Sequence, residues 1–443
     1  MNEQKKDLYM FDLFAGCGGL STGLEFEGFN PTLVSELNRD ALDSYLLNRS
    51  FQIGGIPFNQ FTDLHFQDVY DIDANKISEL KEILEGAGIG LEFGSDEEST
   101  LDMICGGPPC QGYSGIGHRR SYGVEKQDIP SNQLYHKMAE LIEQFRPKMF
   151  LFENVKGLLS ARWTKTGEKG EIWSDVRKRF RAIPGYDVRW QLILAKNYGV
   201  PQNRPRVLLV GIRNDVIDDC SWLDPSQHPE FAIPCGFLPK PSGIAPHPIE
   251  LLSDLEDPDI EAMLHSREYS KPFATTKYLT GPTTPIQREL RTRPDGSLLE
   301  KGSDLTNQEY SKHSSRVVEK FTLMLGNNGQ IPDHYRTKKF AQRLIPDEWD
   351  ERGPTITATS LPDDYVHYSQ PRTLTVREWA RLQLFPDWYQ FAGKRTTGGL
   401  RRAGNPLLGN FEREVPKYTQ IGNAVPVGLA QKLGSHFRKI LSG

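Results

Sequence analysis

One cysteine stands in a turn that would hold a nucleophile in a fixed position. Residues 106–110 read Gly-Gly-Pro-Pro-Cys and follow the apolar run 101–105, which predicts a short buried strand. The two prolines fix successive φ angles, so Cys110 is presented at a set angle beyond the carboxyl end of that strand, where open α/β sheets place their chemistry. A small apolar cysteine packed at a structural turn is an equal alternative, because a thiol is inert unless a basic group or helix start activates it.

Charged side chains at the ends of two further predicted strands could support such a nucleophile. The buried run 148–152 ends in Glu153, and a carboxylate in this place is seldom there for packing, because burying it unpaired is costly. Arg204 and Arg206 lead into the apolar run 207–212. Residues two apart on a strand point to the same side, so both guanidinium groups could face one acceptor.

The amino-terminal stretch predicts a ligand-binding strand, glycine turn and helix. The apolar run 8–14 leads to residues 15–19, which read Ala-Gly-Cys-Gly-Gly, and such small residues let a ligand approach the backbone. Glu36, twenty residues after Gly16, is placed to accept hydrogen bonds from ribose hydroxyls, and Asp68 could accept one from an adenine amino group. A glycine turn followed by a surface acid is the alternative. No Lys-Ser/Thr pair follows the glycines, so the turn is not a phosphate-binding P-loop.

Composition limits the class of protein. A chain of 443 residues suggests two or three domains, and 37% hydrophobic residues suffice for packed cores. No apolar run is long enough to cross a bilayer, and the first residues lack the apolar core of a signal peptide. Five scattered cysteines without a CxxC pair indicate neither a metal site nor a disulfide framework, and favour a reducing cytoplasm. The net charge of -5 argues weakly against nucleic acid as a partner, but it does not exclude contacts by local basic clusters.

Six motifs resemble those of DNA (cytosine-5) methyltransferases of bacterial restriction–modification systems, and they occur in the same order along the chain as in that family. They are DLFAGCGG at 12–19, GPPCQG at 107–112, ENV at 153–155, QNRPR at 202–206, the segment 372–386 and QIGNAVP at 420–426. The resemblance runs from end to end of the chain. It implies an α/β fold with a Rossmann-like, S-adenosyl-L-methionine-dependent methyltransferase domain and a second, smaller, irregular target-recognition domain.

The resemblance also implies how the charged residues and the cysteine would act. Cys110 would add to C6 of cytosine so that C5 can take a methyl group, since a thiolate is a strong nucleophile and a tolerable leaving group. Glu153 would act at ring N3, and Arg206, with Arg204 beside it, would bind cytosine O2 and the flanking phosphates. The target base lies inside a duplex, so it would be flipped out while the loop after Cys110 closes.

S-adenosyl-L-methionine is the methyl donor implied, and no metal is expected. Its carboxylate would lie near the helix start after Gly19, its ribose on Glu36 and its adenine near Asp68. The cofactor pocket implied by the turn and the resemblance comprises Phe14, Ala15, Gly16, Gly18, Gly19, Leu20, Glu36, Leu37, Asp68, Val69, Pro109, Leu134, Asn423, Ala424 and Val425.

The second half of the chain has a different composition. Residues 225–371 are rich in proline and short polar segments, which fits an irregular domain, and in the family the target sequence is read there. We expect a discontinuous catalytic domain of residues 1–224 and 415–443, and a target-recognition domain with its hinge at 225–414. A structural helix is expected at 375–384, capped by Thr375.

Basic clusters in this half are candidate phosphate contacts. They lie at residues 288–293, at 336–339 and at Arg343, and a charged exposed face explains them equally well. About twenty extra residues, 396–417, precede the last motif; they could add DNA contacts, but a surface loop without a role is preferred.

The implied partners are double-stranded DNA and a candidate cognate restriction endonuclease, and the implied enzyme is a cytoplasmic monomer. A nicotinamide-dependent oxidoreductase would share the glycine turn and Glu36, but it gives no reason for the cysteine turn, Glu153 and the arginines together. A catalytically silent DNA-binding relative and a transfer RNA cytosine-5 methyltransferase remain alternatives. The target sequence does not follow from residues 225–371, because base contacts depend on how loops are placed.

Overall fold

A seven-stranded sheet lies at the centre of the computed structural model. The structure describes residues 7–89, 101–109, 130–265, 273–336, 342–349, 353–357, 364–397 and 414–442. Cys110, the loop after it, Lys338, Lys339 and residues 398–413 lie outside these ranges, so the predictions made on them stay predictions.

The described strands are β1 (Leu8–Leu13), β2 (Phe29–Ser35), β3 (Gln52–Ile53), β4 (Ile56–Pro57), β5 (His65–Phe66), β6 (Met103–Gly106), β7 (Met149–Val155), β8 (Tyr186–Leu194), β9 (Pro205–Arg213), β10 (Arg343–Leu344) and β11 (Tyr365–Val366). The central sheet has the order β5-β2-β1-β6-β7-β9-β8, while β3 pairs with β4 and β10 with β11. Its first five strands are parallel, and β9 runs antiparallel to both of its neighbours. The chain winds in opposite directions from β1 and β6, and such a switch point opens a ligand crevice at the carboxyl ends of the strands.

The described helices are α1 (Gly19–Glu25), α2 (Arg39–Leu47), α3 (Ala74–Gly86), α4 (Leu134–Phe145), α5 (Glu171–Arg181), α6 (Asn214–Asp219), α7 (Pro248–Leu252), α8 (Ile260–His265), α9 (Pro285–Arg291), α10 (Ser315–Gly326), α11 (Val376–Arg381), α12 (Lys417–Asn423) and α13 (Val427–Leu441). Among the residues that the structure describes, no helix has both the length and the apolar character needed to span a membrane.

Alternating side chains divide the core into two layers, one on each face of the sheet. Phe11, Leu13 and Ile104 belong to the layer formed with helices α2 to α5, whereas Met10 and Cys105 belong to the layer formed with α1 and α13. Successive residues of a strand point to opposite faces, so strands covered on both faces read as continuous apolar runs. The two layers confirm the predicted Rossmann-like α/β class.

The C-terminal helix α13 returns to the first strand of the sheet by packing along α1. Gly23 allows this close contact, since a Cβ atom there would overlap the carbonyl oxygen of Val427 and lie 2.5 Å from Cβ of Ala430. The last helix thus shares a core layer with β1 and α1, while a discontinuous catalytic domain stays a prediction. The bounds 1–224, 415–443 and 225–414 remain a proposal.

Buried ion pairs hold the irregular second half together. Arg381 binds both Asp254 and Asp387, and Arg291 binds Asp254 at 3.0 Å, with all four side chains fully buried. For Arg291, the expectation of a phosphate contact or an exposed face in the cluster 288–293 is therefore wrong. Its guanidinium is instead part of the core between α7 and α9.

Helix α11 begins where the sequence predicts. Thr375 caps it by accepting the backbone N–H of Glu378, and the Glu378 carboxylate accepts the backbone N–H of Thr375, as in a capping box. The helix ends at Arg381 rather than at residue 384, because Leu384 adopts a left-handed conformation with φ of 60°.

Candidate active site

The glycine turn after β1 is tied to the end of β2 by Glu36. The Glu36 carboxylate accepts the backbone N–H of Gly16 at 2.9 Å and that of Asn38 at 2.8 Å. Burial raises the pKa of Glu36, and these two N–H donors oppose the rise because they favour the charged form. The turn is further bent by Phe14, Gly16 and Gly18, whose φ angles are all positive. Sequence position alone paired Gly16 with Glu36, and the structure brings the two together.

Open space and exposed side chains lie beside this carboxylate. A Cβ atom built on Gly16 would have no atom within 4 Å, so the turn faces open space. Leu37 follows Glu36 and is 72% exposed, which gives an apolar surface next to an acceptor. Asp68 is exposed at the end of the neighbouring strand β5, where one of its oxygens accepts the backbone N–H of Tyr70. Apolar surface with a few convergent acceptors suits a nucleoside that carries no phosphate.

The turn between α12 and α13 closes against the start of α1. A Cβ atom on Gly19 would overlap the carbonyl oxygen of Val425 and lie 2.9 Å from Cβ of Ala424, so only glycine permits this approach. Asn423 is exposed beside them, and Leu20 is buried. The structure therefore brings the first and last predicted segments of the cofactor pocket into contact.

The remaining predicted pocket residues lie on neighbouring elements. Val69 is buried after β5, Leu134 begins α4 and packs partly buried on the core, and Pro109 is exposed at the last described position before Cys110. Ala15 donates its backbone N–H to the carbonyl of Ser35 at 3.0 Å. That they line one crevice along the carboxyl edge of the sheet stays a prediction.

Glu153 and Arg206 form an ion pair beneath the turn that leads to Cys110. Glu153 lies on β7 and Arg206 on β9, whose antiparallel register pairs Val155 with Arg206. The Nε of Arg206 contacts Oε1 of Glu153, and both residues are less than a tenth exposed. A Cβ atom on Gly107 would lie only 2.7 Å from Oε2 of the same carboxylate. The glycine thus lets the turn pass directly over the charged pair.

Asn154 fixes the same turn from the other side and was not predicted individually. Its amide nitrogen donates to the carbonyl of Pro108 at 3.1 Å, and its amide oxygen accepts the backbone N–H of Val155 at 2.9 Å. The side chain is 4% exposed. Its place between Glu153 and Val155 in the ENV motif is the sequence feature that could have indicated a role for Asn154.

Arg204 does not face the acceptor that Arg206 faces. It is 1% exposed, and its guanidinium donates to backbone carbonyls of Ile356, Gly422 and Ala424. The prediction that both guanidinium groups face one acceptor is therefore wrong. Side-chain alternation holds only inside a strand, and Arg204 lies one residue before β9 begins.

Two other cysteines near the site are poor nucleophiles. Cys17 and Cys105 are both fully buried. Burial raises the pKa of the Cys17 thiol to about 12, and it raises that of Cys105 well above its usual value, with Asp12 adding to the effect. A thiol with a raised pKa carries little of the reactive thiolate at neutral pH.

The predicted phosphate contacts are only partly described. Arg336 is exposed and pairs with Asp333 at 3.0 Å, and the guanidinium of Arg343 lies 4.6 Å from the ring centre of Tyr365. The two ends of the insertion 396–417 meet, since the backbone N–H of Lys417 donates to the carbonyl of Lys394 at 2.9 Å. The role of the insertion stays a prediction.

Comparison with known proteins identifies a family for this chain. The family model for C-5 cytosine-specific DNA methylases matches residues 8–439. The type II methyltransferase M.DdeI of Desulfomicrobium norvegicum is 30% identical over 441 residues, covering 96% of this chain and 87% of that protein. M.XorII of Xanthomonas oryzae pv. oryzae, also a type II methyltransferase, is 28% identical, and the match covers 97% of this chain and 84% of that protein.

A solved structure shares the fold. It is described as a DNA modification methyltransferase encoded within a prophage of Escherichia coli, and it covers 99% of this chain and 100% of its own, with a TM-score of 0.62 and 22% identity. The family match spans both the glycine turn and the Glu153–Arg206 pair. The chain therefore belongs to the C-5 cytosine-specific DNA methylase family.

Proposed function

We propose that this C-5 cytosine DNA methyltransferase forms a covalent bond between Cys110 and C6 of a cytosine flipped out of a specific duplex sequence. The observation that carries the proposal is the ion pair of Glu153 and Arg206 packed beneath Gly107, three residues before Cys110. This arrangement offers a carboxyl group and a guanidinium next to Gly107, at the start of the turn that contains Cys110. Both are needed to stabilise the charge that forms on the ring.

The proposed reaction assigns one task to each side chain. The Cys110 thiolate adds to C6, and the electron pair of the C5–C6 double bond moves through the ring toward N3, which takes a proton from Glu153. S-adenosyl-L-methionine, the methyl donor, supplies a methyl group bound to a sulfonium sulfur. Held at the glycine turn, it would offer this methyl group to C5, and the bonding pair would stay on sulfur. Water then removes the C5 proton, the thiolate leaves C6 as the C5–C6 double bond forms again, and N3 returns its proton to Glu153.

Arg206 has two tasks in this scheme. Its contact with Glu153 fixes the carboxyl group beneath the cysteine turn. Its positive charge also serves cytosine O2, where electron density increases after the thiolate adds. For the cofactor, we propose that Glu36 accepts from the ribose hydroxyls, Asp68 from the adenine amino group, and Leu37 lies against the adenine ring.

The relatives suggest the setting of the reaction. M.DdeI and M.XorII are described as type II methyltransferases. We propose accordingly that this chain modifies DNA within a restriction–modification system, as a cytoplasmic monomer with a cognate restriction endonuclease as its partner. Residues 225–414 would read the target sequence.

Covalent trapping tests the mechanism. Bisulfite sequencing of DNA from a host that expresses the chain first gives the methylated sequence context. Duplex DNA with 5-fluorocytosine at that position should then, with the methyl donor, capture the parent protein in a denaturation-stable complex, because the fluorine blocks the last elimination. Cys110→Ser should give no such complex.

Cys235→Ser is the matched control. The Cys235 thiol is buried and donates to the carbonyl of His228 at 3.3 Å, a bond that serine can also make, so this variant should be captured like the parent. Methylation by Cys110→Ser at the parent rate would refute the covalent step. Methyl transfer to transfer RNA but not to duplex DNA would refute the proposed substrate.

A further inference from the structure

We propose that Arg204 is a positioning residue that holds the turn 422–425 against the glycine turn and thereby sets the affinity for S-adenosyl-L-methionine. This inference rests on the proposed function, because it takes residues 423–425 as one wall of the cofactor site. The sequence predicts that Arg204 contacts cytosine and the flanking phosphates. The positioning role takes the place of that expectation, because the guanidinium binds backbone carbonyls instead.

Arg204 binds the end of a helix. One guanidinium nitrogen, Nη2, lies 2.9 Å from the carbonyl oxygen of Gly422, 3.2 Å from that of Asn423 and 2.8 Å from that of Ala424. Gly422 and Asn423 belong to the last turn of α12 and Ala424 is its C-cap, so helix geometry provides no internal N–H partner for these carbonyls. A cation at this end also offsets the partial negative charge of the helix dipole. The guanidinium therefore supplies both the donors and the charge that the turn requires.

A second side chain supports the same turn. The amide nitrogen of Gln383 donates to the carbonyl of Ile421 at 2.5 Å and to that of Ala424 at 3.3 Å. Its amide oxygen accepts from Gln202, which belongs to the same QNRPR motif as Arg204. Two residues of one motif thus fix the turn, one directly and one through Gln383.

The turn 422–425 cannot move closer to the glycine turn, so its position depends on the side chains that hold it from the other side. A Cβ atom on Gly19 would already overlap the Val425 carbonyl oxygen, so the backbones of the two turns are in close contact. The other guanidinium nitrogen of Arg204, Nη1, donates to the carbonyl of Ile356. The side chain therefore also connects the turn 422–425 to residues 353–357. If Arg204 is shortened, residues 423–425 lose the larger of their two supports, whereas the contact between Glu153 and Arg206 is kept.

Arg204→Lys tests this idea because it keeps the charge but loses the fork that reaches several carbonyls. The dissociation constant for S-adenosyl-L-methionine, measured by calorimetry without DNA, should rise about tenfold or more, since charged hydrogen bonds to the turn are lost. Hydrogen exchange of the peptide covering residues 420–426 should become faster. At saturating methyl donor, kcat should fall less than the dissociation constant rises.

Arg206→Lys is the matched control, with the same substitution two residues away. It should keep the dissociation constant within about twofold and lose mainly kcat, because its partner is Glu153. If Arg204→Lys does not fold, Gln383→Leu removes the second donor to the turn and should weaken binding in the same direction.

The outcomes separate the two proposals. Parent-like binding and exchange in Arg204→Lys, together with a loss of kcat, would overturn the positioning role and return Arg204 to the cytosine. A parent protein that fails to bind S-adenosyl-L-methionine at all would instead overturn the cofactor site on which the inference depends.

Discussion

At the scale of single residues, a candidate site residue could be predicted from the sequence where it lies at the end of a predicted strand. Glu153 was predicted because it ends an apolar run, and the structure places it beside Arg206. The contacts of Asn154 and Gly107 could not be predicted, since both join the turn after β6 to β7 and depend on how those strands pair. The direction of Arg204 does not follow from side-chain alternation, because Arg204 lies one residue outside β9.

Gly107→Ala should impair catalysis without impairing folding. The new Cβ atom would lie 2.7 Å from Oε2 of Glu153, so either the carboxyl group or the turn must shift. A displacement on the order of 1 Å at a reacting group can reduce kcat about 100-fold. Single-turnover methylation at saturating DNA and methyl donor measures this loss.

Gly86→Ala provides the comparison. A Cβ atom on Gly86, the last residue of α3, meets no atom within 4 Å, so kcat should be unchanged. Equal rates for Gly107→Ala and the parent would show that Glu153 tolerates the shift and that its position is not critical.

At the scale of elements, helix α11 shows why charge patterns can mislead. The helix and its Thr375 cap were predicted from the sequence, yet every residue from Val376 to Arg381 is buried. Charged residues usually indicate a solvated helix face, and the partners Asp254 and Asp387 that make burial tolerable lie outside the helix. Asp254 lies 127 positions from Arg381 in the sequence, so its pairing with Arg381 cannot be predicted without the fold.

Arg381→Met should destabilise the protein strongly. It leaves the buried carboxylates of Asp254 and Asp387 with less compensation, and removing one partner of a buried pair costs about 3–5 kcal/mol. Arg181→Met is the control, because Arg181 is 37% exposed and contacts Glu230 only at 4.0 Å, so a loss of less than about 1 kcal/mol is expected. Urea unfolding followed by tryptophan fluorescence compares them. Similar losses would mean that the buried network contributes little.

At the scale of the whole molecule, the two-layer α/β architecture was predictable and the joining of its parts was not. Apolar strand runs and glycine turns indicate a covered parallel sheet. By contrast, Tyr389 of the second half donates to the carbonyl of Cys17 in the glycine turn, and Gln390 and Asn48 exchange hydrogen bonds. These contacts connect residues more than 300 positions apart, which no local pattern records.

A buried acid should make the stability of the fold depend on pH. Asp12 is 1% exposed, and burial raises its pKa to about 6, although the hydroxyl of Ser21 donates to it. In an unfolded chain its pKa is about 3.9, so the native state binds the proton more tightly. This contribution to stability is complete below about pH 4 and is lost as pH rises through about 6.

Asp12→Asn should remove that dependence. Between pH 4 and 7, the unfolding free energy of the parent relative to the variant should fall by about 2–3 kcal/mol, as a pKa difference of about 2 requires. Urea unfolding at several pH values measures it, and Glu25 and Glu36, whose pKa values burial also raises, cancel in the comparison. Parallel pH curves for the two proteins would contradict the prediction.

The return of α12 and α13 to the first strand has a consequence during synthesis on the ribosome. A nascent chain that has emerged as far as residue 397 already contains the cysteine turn, Glu153 and Arg206, but it lacks the segment that Arg204 binds and that closes against Gly19. Its apolar layer beneath α1 also stays uncovered until α13 arrives. We therefore expect an incomplete polypeptide to depend on chaperones and to be silent toward DNA, so that methylation begins only after translation has passed residue 425.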